Sequence, residues 1–377
     1  MKRVLLFYIS VNSGHHMAAK SIENALLRLD DRLEILNVNA LNYISPFLEK
    51  LVIKTYMGVV KNTPELWEYL YDNSLVREKI SKFRDLAHRI NSARLLQLVN
   101  EFQPDVVVCT QAYPCGVLAS YKSAQNMGCP IVGILTDYVA HAYWVLEGID
   151  LFAVPTEMTK KQMVERGVSP RKIQVLGIPV DPIFSRKMDR RLLKSWHGIS
   201  ESETVILIMG GGQGLIPIRE IVMALQEVQS PIHVIAVTGR NRSLKNKLEA
   251  VKKKCRTPLT IYGYVNEVDI LMEMADLIIS KPGGLTSSEA LVKQLPMLIF
   301  KPLPGQESKN CEFLVENKAA LKIDQIDEIP KVVDDLLNNP TRLEGMKQKI
   351  ECLRKPQAAM DIAKALFEIS SASVSVL

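Results

Sequence analysis

Apolar residues in this chain fall in short unbroken runs, each followed by a polar or glycine-bearing turn and then by a stretch with helical spacing. Short bounded runs rich in Val, Ile and Leu predict strands buried on both faces, as in parallel sheets. Val4–Ile9 is the first, followed by a loop over 10–16 and a helix from about Met17 to Leu29. Leu33–Val38 then closes a βαβ unit. The alternation resumes with Asp105–Cys109, a helix over Pro114–Asn126, Ile131–Thr136, Asp150–Val154, a helix over Glu157–Arg166, and Ile173–Leu176. Gly177-Ile178-Pro179-Val180-Asp181-Pro182 reads as a stop at the end of a domain.

A basic helix (Lys187–His197) separates this series from a second one. Val205–Met209, Ile232–Val237, Leu259–Ile261, Asp276–Ile279 and Met297–Phe300 are its strands, each running into a loop with chemistry in it. A last helix, about Gln357–Ile369, has no strand after it and is expected to pack back across a domain face. Tyr43 to Arg94 breaks the pattern with apolar and aromatic segments bearing Lys50, Lys54 and Lys61. It reads as a helical insertion that either lies in a membrane interface or forms a layer on the sheet. The expected division is 1–180 (insertion about 43–95), a linker over 181–200, 201–355, and a C-terminal helix over 356–377.

The loop after Asp276–Ile279 is Ser280-Lys281-Pro282-Gly283-Gly284-Leu285-Thr286-Ser287-Ser288-Glu289-Ala290, with a helix expected over Leu285–Gln294. A strand-to-helix turn leaves backbone N–H groups open at the positive end of a helix dipole, which favours an anion. Gly283 and Gly284 admit close approach of a ligand, and Glu289 is suited to gripping a sugar diol. An ordinary capped helix accounts for the same stretch, so the other loops have to decide. His15 closes the loop after the first strand, and Thr136-Asp137 with His141 closes a later one. Ligands bind at these carboxyl edges in open parallel sheets.

Composition narrows the classes. The 377 residues are 47% hydrophobic and 23% charged, enough for two globular domains. A net charge of +6 is too weak to argue for nucleic acid but suits anionic headgroups or substrates. The six cysteines form no Cys-x-x-Cys pair, so buried thiols in a reducing cytoplasm are expected and zinc is not. No apolar run approaches bilayer-spanning length. Neither the loop at Gly14 nor Gly210-Gly211-Gly212-Gln213-Gly214 supplies G-x-G-x-x-G, and no Walker-type G-K-[ST] occurs, which disfavours a nicotinamide dehydrogenase or P-loop ATPase.

Two βα domains with glycine-bearing loops facing each other describe an α/β protein of the GT-B fold: two Rossmann-like, doubly wound domains about an interdomain cleft. Asn12-Ser13-Gly14-His15, Thr136-Asp137 with His141 and Trp144, Gly177-Ile178-Pro179, Lys281-Pro282-Gly283-Gly284-Leu285-Thr286 with Glu289, and Pro304-Gly305-Gln306-Glu307 with Asn310 occur together in that order. This set resembles glycosyltransferase family 28, in its monogalactosyldiacylglycerol synthase and processive diacylglycerol glucosyltransferase branch.

The resemblance implies an inverting transferase moving glucose or galactose from a UDP-sugar to diacylglycerol, peripherally bound at the cytoplasmic face of the membrane, where the net charge of +6 suits anionic lipid. It implies His15 as general base, with Asp137 orienting it or receiving its charge. Gly14, Gly212, Gln213, Arg240, Val265, Gly283, Gly284, Leu285, Thr286, Glu289, Gln306, Glu307 and Asn310 are the residues it assigns to the UDP-sugar. Among them Gly283–Thr286 would meet the diphosphate, Glu289 the ribose and Val265 the uracil. His16 directly follows His15, a departure from the pattern, and the Gly210–Gly214 loop is closer to that of the peptidoglycan N-acetylglucosaminyl transferase. Transfer of N-acetylglucosamine to a polyprenyl-linked or other lipid therefore stays open, as does a catalytically silent nucleotide-sugar-binding protein. No Asp-x-Asp occurs, so no metal or other cofactor is demanded.

Overall fold

The computed structural model describes residues 1–11, 13–47, 49–51, 54–55, 93–125, 127–212, 214 and 216–374. Most of the expected insertion over 43–95, and Gln213, lie outside them. The chain divides into two compact units. The first comprises Met1–Pro182, Pro304–Gln306 and Gln357–Leu377; the second comprises Ile183–Leu303 and Glu307–Pro356.

The first unit is built on six parallel strands: β1 (Arg3–Tyr8), β2 (Glu34–Asn39), β3 (Val106–Cys109), β4 (Ile131–Ile134), β5 (Leu151–Val154) and β6 (Ile173–Val175), in the order β2-β1-β3-β4-β5-β6. Alternate side chains face opposite sides, and both sides are covered, which is why the strands read as continuous apolar runs. Leu5, Phe7, Val107, Cys109, Phe152 and Val154 enter one core. Val4, Leu6, Val106, Val108, Ile134 and Ala153 enter the other, against Ile22 and Leu26 of the helix Gly14–Leu29 and Ile362 and Leu366 of the helix Ala358–Val374. The C-terminal helix thus belongs to the first unit and packs beside the first helix. Burying each Leu, Ile or Phe contributes about 1.5–3 kcal/mol, so these layers hold the sheet edge in place.

The second sheet contains β7 (Thr204–Met209), β8 (Ile232–Val237), β9 (Leu259–Tyr262), β10 (Leu277–Ser280), β11 (Met297–Phe300) and β12 (Ala320–Ile323) in the order β12-β11-β10-β7-β8-β9, again all parallel. Residues 181–200, read as a linker from the sequence, hold the helix Arg190–Trp196, whose Arg190 pairs with Asp276 and donates to the Met274 carbonyl of the second unit. Strand β12 was not expected. It ends the sheet, and its Leu321 and Lys322 are not buried, so it lacks the unbroken apolar run that marks the others.

In each sheet the strand order reverses direction once, between β1 and β3 in the first and between β7 and β10 in the second. At such a point the loops leave in opposite directions and open a crevice at the strands' carboxyl ends. His15 follows β1, and the Gly283-Gly284 turn follows β10.

Candidate active site

Ser13 starts the first helix. Its hydroxyl accepts from the His16 N–H at 3.2 Å and donates to the Ser10 carbonyl at 2.7 Å, the arrangement of an N-cap. The helix therefore begins at Gly14, three residues before the expected Met17, and His15 sits in its first turn instead of in a loop. Its half-buried ring reaches across the switch point: Nδ1 lies 2.8 Å from the Thr110 carbonyl oxygen after β3 and 3.0 Å from Thr136 Oγ1 after β4. Burial lowers its pKa below the usual histidine value, against opposing pulls from the Asp137 charge and the Thr110 carbonyl. Asp137 and His15 are thus brought together, with the carboxylate acting through its field.

The loop carrying Thr136 and Asp137 is fixed from below. A Cβ at Gly133 would stand 2.9 Å from the Phe152 ring and 3.2 Å from Trp144, so glycine there lets both aromatic rings seat under the loop. Thr159 Oγ1 donates to the Tyr138 carbonyl at 2.6 Å, and the Ala140 N–H donates to Gln162. His141 precedes the short turn Ala142–Trp144 and meets the Tyr143 ring edge-on at 5.6 Å. His16 turns elsewhere: its ring lies 4.3 Å from that of Tyr8, and burial and Lys20 lower its pKa. It is the His15 ring that meets the threonines.

In the second unit, Ser280 Oγ donates to the Met209 carbonyl at 2.7 Å and ties the glycine turn to β7. Gly283 precedes the helix Gly284–Val292 without a side-chain cap, so the N–H groups of Gly284, Leu285 and Thr286 are left open at the helix start. No atom stands within 4 Å of where a Gly283 Cβ would be. Leu285 is buried and offers its backbone alone, whereas Thr286 in the same turn and Glu289 on the next are half-buried. The loops after β7 and β8 are shaped by glycine in the left-handed region: Gly211 at φ +72° and Gly214 at +62° in the first, Gly239 at +58° in the second. The Arg240 N–H donates to the Gly212 carbonyl at 3.0 Å, and a Gly239 Cβ would lie 2.5 Å from that same oxygen.

The Arg240 guanidinium lies over the Tyr264 ring at 5.1 Å. Together with Arg242, Lys245 and Gly263 these line a cavity of about 470 Å³, next to which half-buried Val265 follows β9.

Of the three residues expected at the donor sugar, Glu307 and Asn310 have other visible work. Glu307 is paired with Lys281 through one carboxylate oxygen and accepts the Leu303 N–H at 3.1 Å through the other. Asn310 is fully buried and donates to the Pro282 carbonyl at 3.1 Å. Both brace the glycine turn from the helix Gln306–Glu316, in which Gln306 is the half-buried first residue. Sequence reasoning did not single out Thr110, and it quoted Lys281 within the glycine motif without giving it a role. Each directly follows a buried strand end, β3 and β10, which was the available signal.

Among known proteins, residues 15–180 match the family model described as monogalactosyldiacylglycerol (MGDG) synthase, and residues 205–366 match that of the glycosyltransferase family 28 C-terminal domain. A processive diacylglycerol beta-glucosyltransferase of Bacillus pumilus is 28% identical over 373 residues, 98% of this chain and 95% of the relative. That of Bacillus subtilis is 29% identical over 356 residues, 93% and 91% of the two chains. Among solved structures, Acinetobacter baumannii MurG superimposes with a TM-score of 0.60 at 15% identity, covering 98% of this chain and all (100%) of that one. Anabaena HepE in complex with UDP gives 0.57 at 13%, covering 98% and 100%. These two share the GT-B fold with this protein. With both halves matched, the chain belongs to glycosyltransferase family 28, in its monogalactosyldiacylglycerol synthase branch.

Proposed function

We propose that this enzyme transfers a hexose, glucose or galactose, from a UDP-sugar to the free hydroxyl of diacylglycerol with inversion, giving a β-glycolipid. The observation that carries the reading is His15: a ring of lowered pKa, neutral at physiological pH, held through Nδ1 at a switch point. In the proposed step the acceptor O–H proton passes to the imidazole as the acceptor oxygen bonds the anomeric carbon. The bond from that carbon to the phosphate oxygen breaks, and UDP leaves with the electron pair. Negative charge grows on the departing diphosphate, which the open N–H groups of Gly284–Thr286 and the helix dipole are suited to stabilise. No metal is invoked for this. Glu289, one turn further in, is suited to the ribose diol.

Glucose and diacylglycerol are the donor sugar and acceptor favoured by the names of the Bacillus relatives. Such an acceptor resides in a bilayer, and among the described residues no helix is long and apolar enough to cross one. We therefore place the enzyme peripherally, at the cytoplasmic face of an anionic membrane. The test is a donor screen with purified protein and diacylglycerol in mixed micelles, using UDP-glucose, UDP-galactose and UDP-N-acetylglucosamine. The expected product is a hexosyl diacylglycerol whose anomeric proton shows the β configuration. An α product, or transfer of N-acetylglucosamine alone, contradicts the proposal.

A further inference from the structure

A histidine base works through one nitrogen, and the partner of the other nitrogen decides which one carries the lone pair. Two oxygens contact Nδ1 of His15, at 2.8 Å from the Thr110 carbonyl and 3.0 Å from the Thr136 hydroxyl. A carbonyl oxygen only accepts. Were Nδ1 bare, its lone pair would face that oxygen at contact distance with no proton between them. The proton therefore sits on Nδ1, shared toward Thr136 Oγ1, and Nε2 carries the lone pair.

The same threonines also fix the residue as a whole. Thr110 Oγ1 donates to the backbone carbonyl of His15 at 2.9 Å and approaches that of Phe7 at 3.3 Å. Thr110 is 0% exposed and Thr136 6%, so neither side chain has room to turn away. Residue 15 is thereby gripped at its ring and at its main chain from the ends of two other strands. The Asp137 charge also acts on the ring.

We infer that Thr110 and Thr136 are positioning residues that set the tautomer and angle of His15, in place of a carboxylate hydrogen-bonded to Nδ1. This rests on the proposed reading of His15 as the base. When Nε2 takes the acceptor proton, the Nδ1–H bond to Thr110 persists unchanged, so the ring need not move. Asp137 stabilises the resulting imidazolium without receiving a proton.

The tautomer is read directly by nitrogen-15 NMR of the full-length protein labelled at histidine, with His15→Gln used to assign the resonance. Protonated Nδ1 and bare Nε2 are expected above the pKa of His15, in the wild type and equally in Asp137→Asn. A wild-type ring protonated on Nε2, or a tautomer that changes in Asp137→Asn, overturns the inference. In turnover, Thr136→Val should lower kcat about tenfold with the donor KM unchanged, and Thr136→Ser should restore it. A Thr136→Val enzyme within twofold of wild type also overturns it. Unaltered turnover by His15→Gln would instead refute the base reading, while the NMR result on the wild type would stand by itself.

Discussion

At its switch point the first unit presents a side chain; at its own, the second presents backbone. Around His15 the surroundings are threonine oxygens that orient a ring, and the strand ends supply them from β3 and β4. Around Gly283 the surroundings are empty space and open N–H groups, with Lys281, Glu307 and Asn310 bracing the turn from outside. Parallel sheets of the same size, each reversing order once, therefore present different groups: an imidazole on one, which the proposed function uses as a proton acceptor, and open N–H groups on the other, which it uses to hold an anion. The difference lies in what occupies the first turn of the following helix, His15 in one case and Gly284-Leu285-Thr286 in the other. A shared fold specifies where ligands meet the chain, while a handful of residues specify what is done to them.

That contrast can be broken from either side. The largest effect is expected at the ring: His15→Ala should lower kcat by about 10²–10⁴-fold, the usual contribution of a positioned base, with thermal stability near wild type. On the backbone side, two glycines should behave differently. Gly239→Ala forces a Cβ to within 2.5 Å of the Gly212 carbonyl at φ +58°, so it should cost about 1–3 kcal/mol or more of stability, seen as a lowered Tm. Gly283 has an ordinary φ of −64° and open space around it. Gly283→Ala should fold normally and weaken UDP about tenfold by occupying room a ligand needs, roughly 1.4 kcal/mol. Normal UDP affinity in Gly283→Ala would mean that the space there is not used.

The smallest effect concerns pH. Because burial holds His15 below the ordinary histidine pKa, the acid limb of kcat/KM should fall below about 6.5, with activity rising as the ring loses its proton. The Asp137 charge opposes that lowering, so Asp137→Asn should move the limb to still lower pH while reducing the plateau. A limb that moves upward would show that Asp137 does not act on His15 as a negative charge.

Much of this was legible in the sequence, for a physical reason. Strands buried on both faces leave continuous apolar runs, and Ile232–Val237 and Met297–Phe300 match the observed strands to the residue. Edge strand β12 escaped because Leu321 and Lys322 are only partly covered, and a half-covered strand of that length resembles a loop. The helix start at Gly14 escaped because glycine and histidine are poor helix formers, and the Ser13 cap outweighs them locally. His15 and the glycine turn could be found from local motifs. Thr110 could not: its bond to His15 spans 95 residues, and no period in the sequence records a pairing made by strand order.

In the proposed function, proton removal and donor binding reside on different units, so one should be lost without the other. Calorimetric titration of His15→Ala with UDP, beside wild type, measures this most directly. Equal dissociation constants are expected in a protein that no longer turns over; UDP affinity that falls in step with turnover would mean that the two functions are not separate.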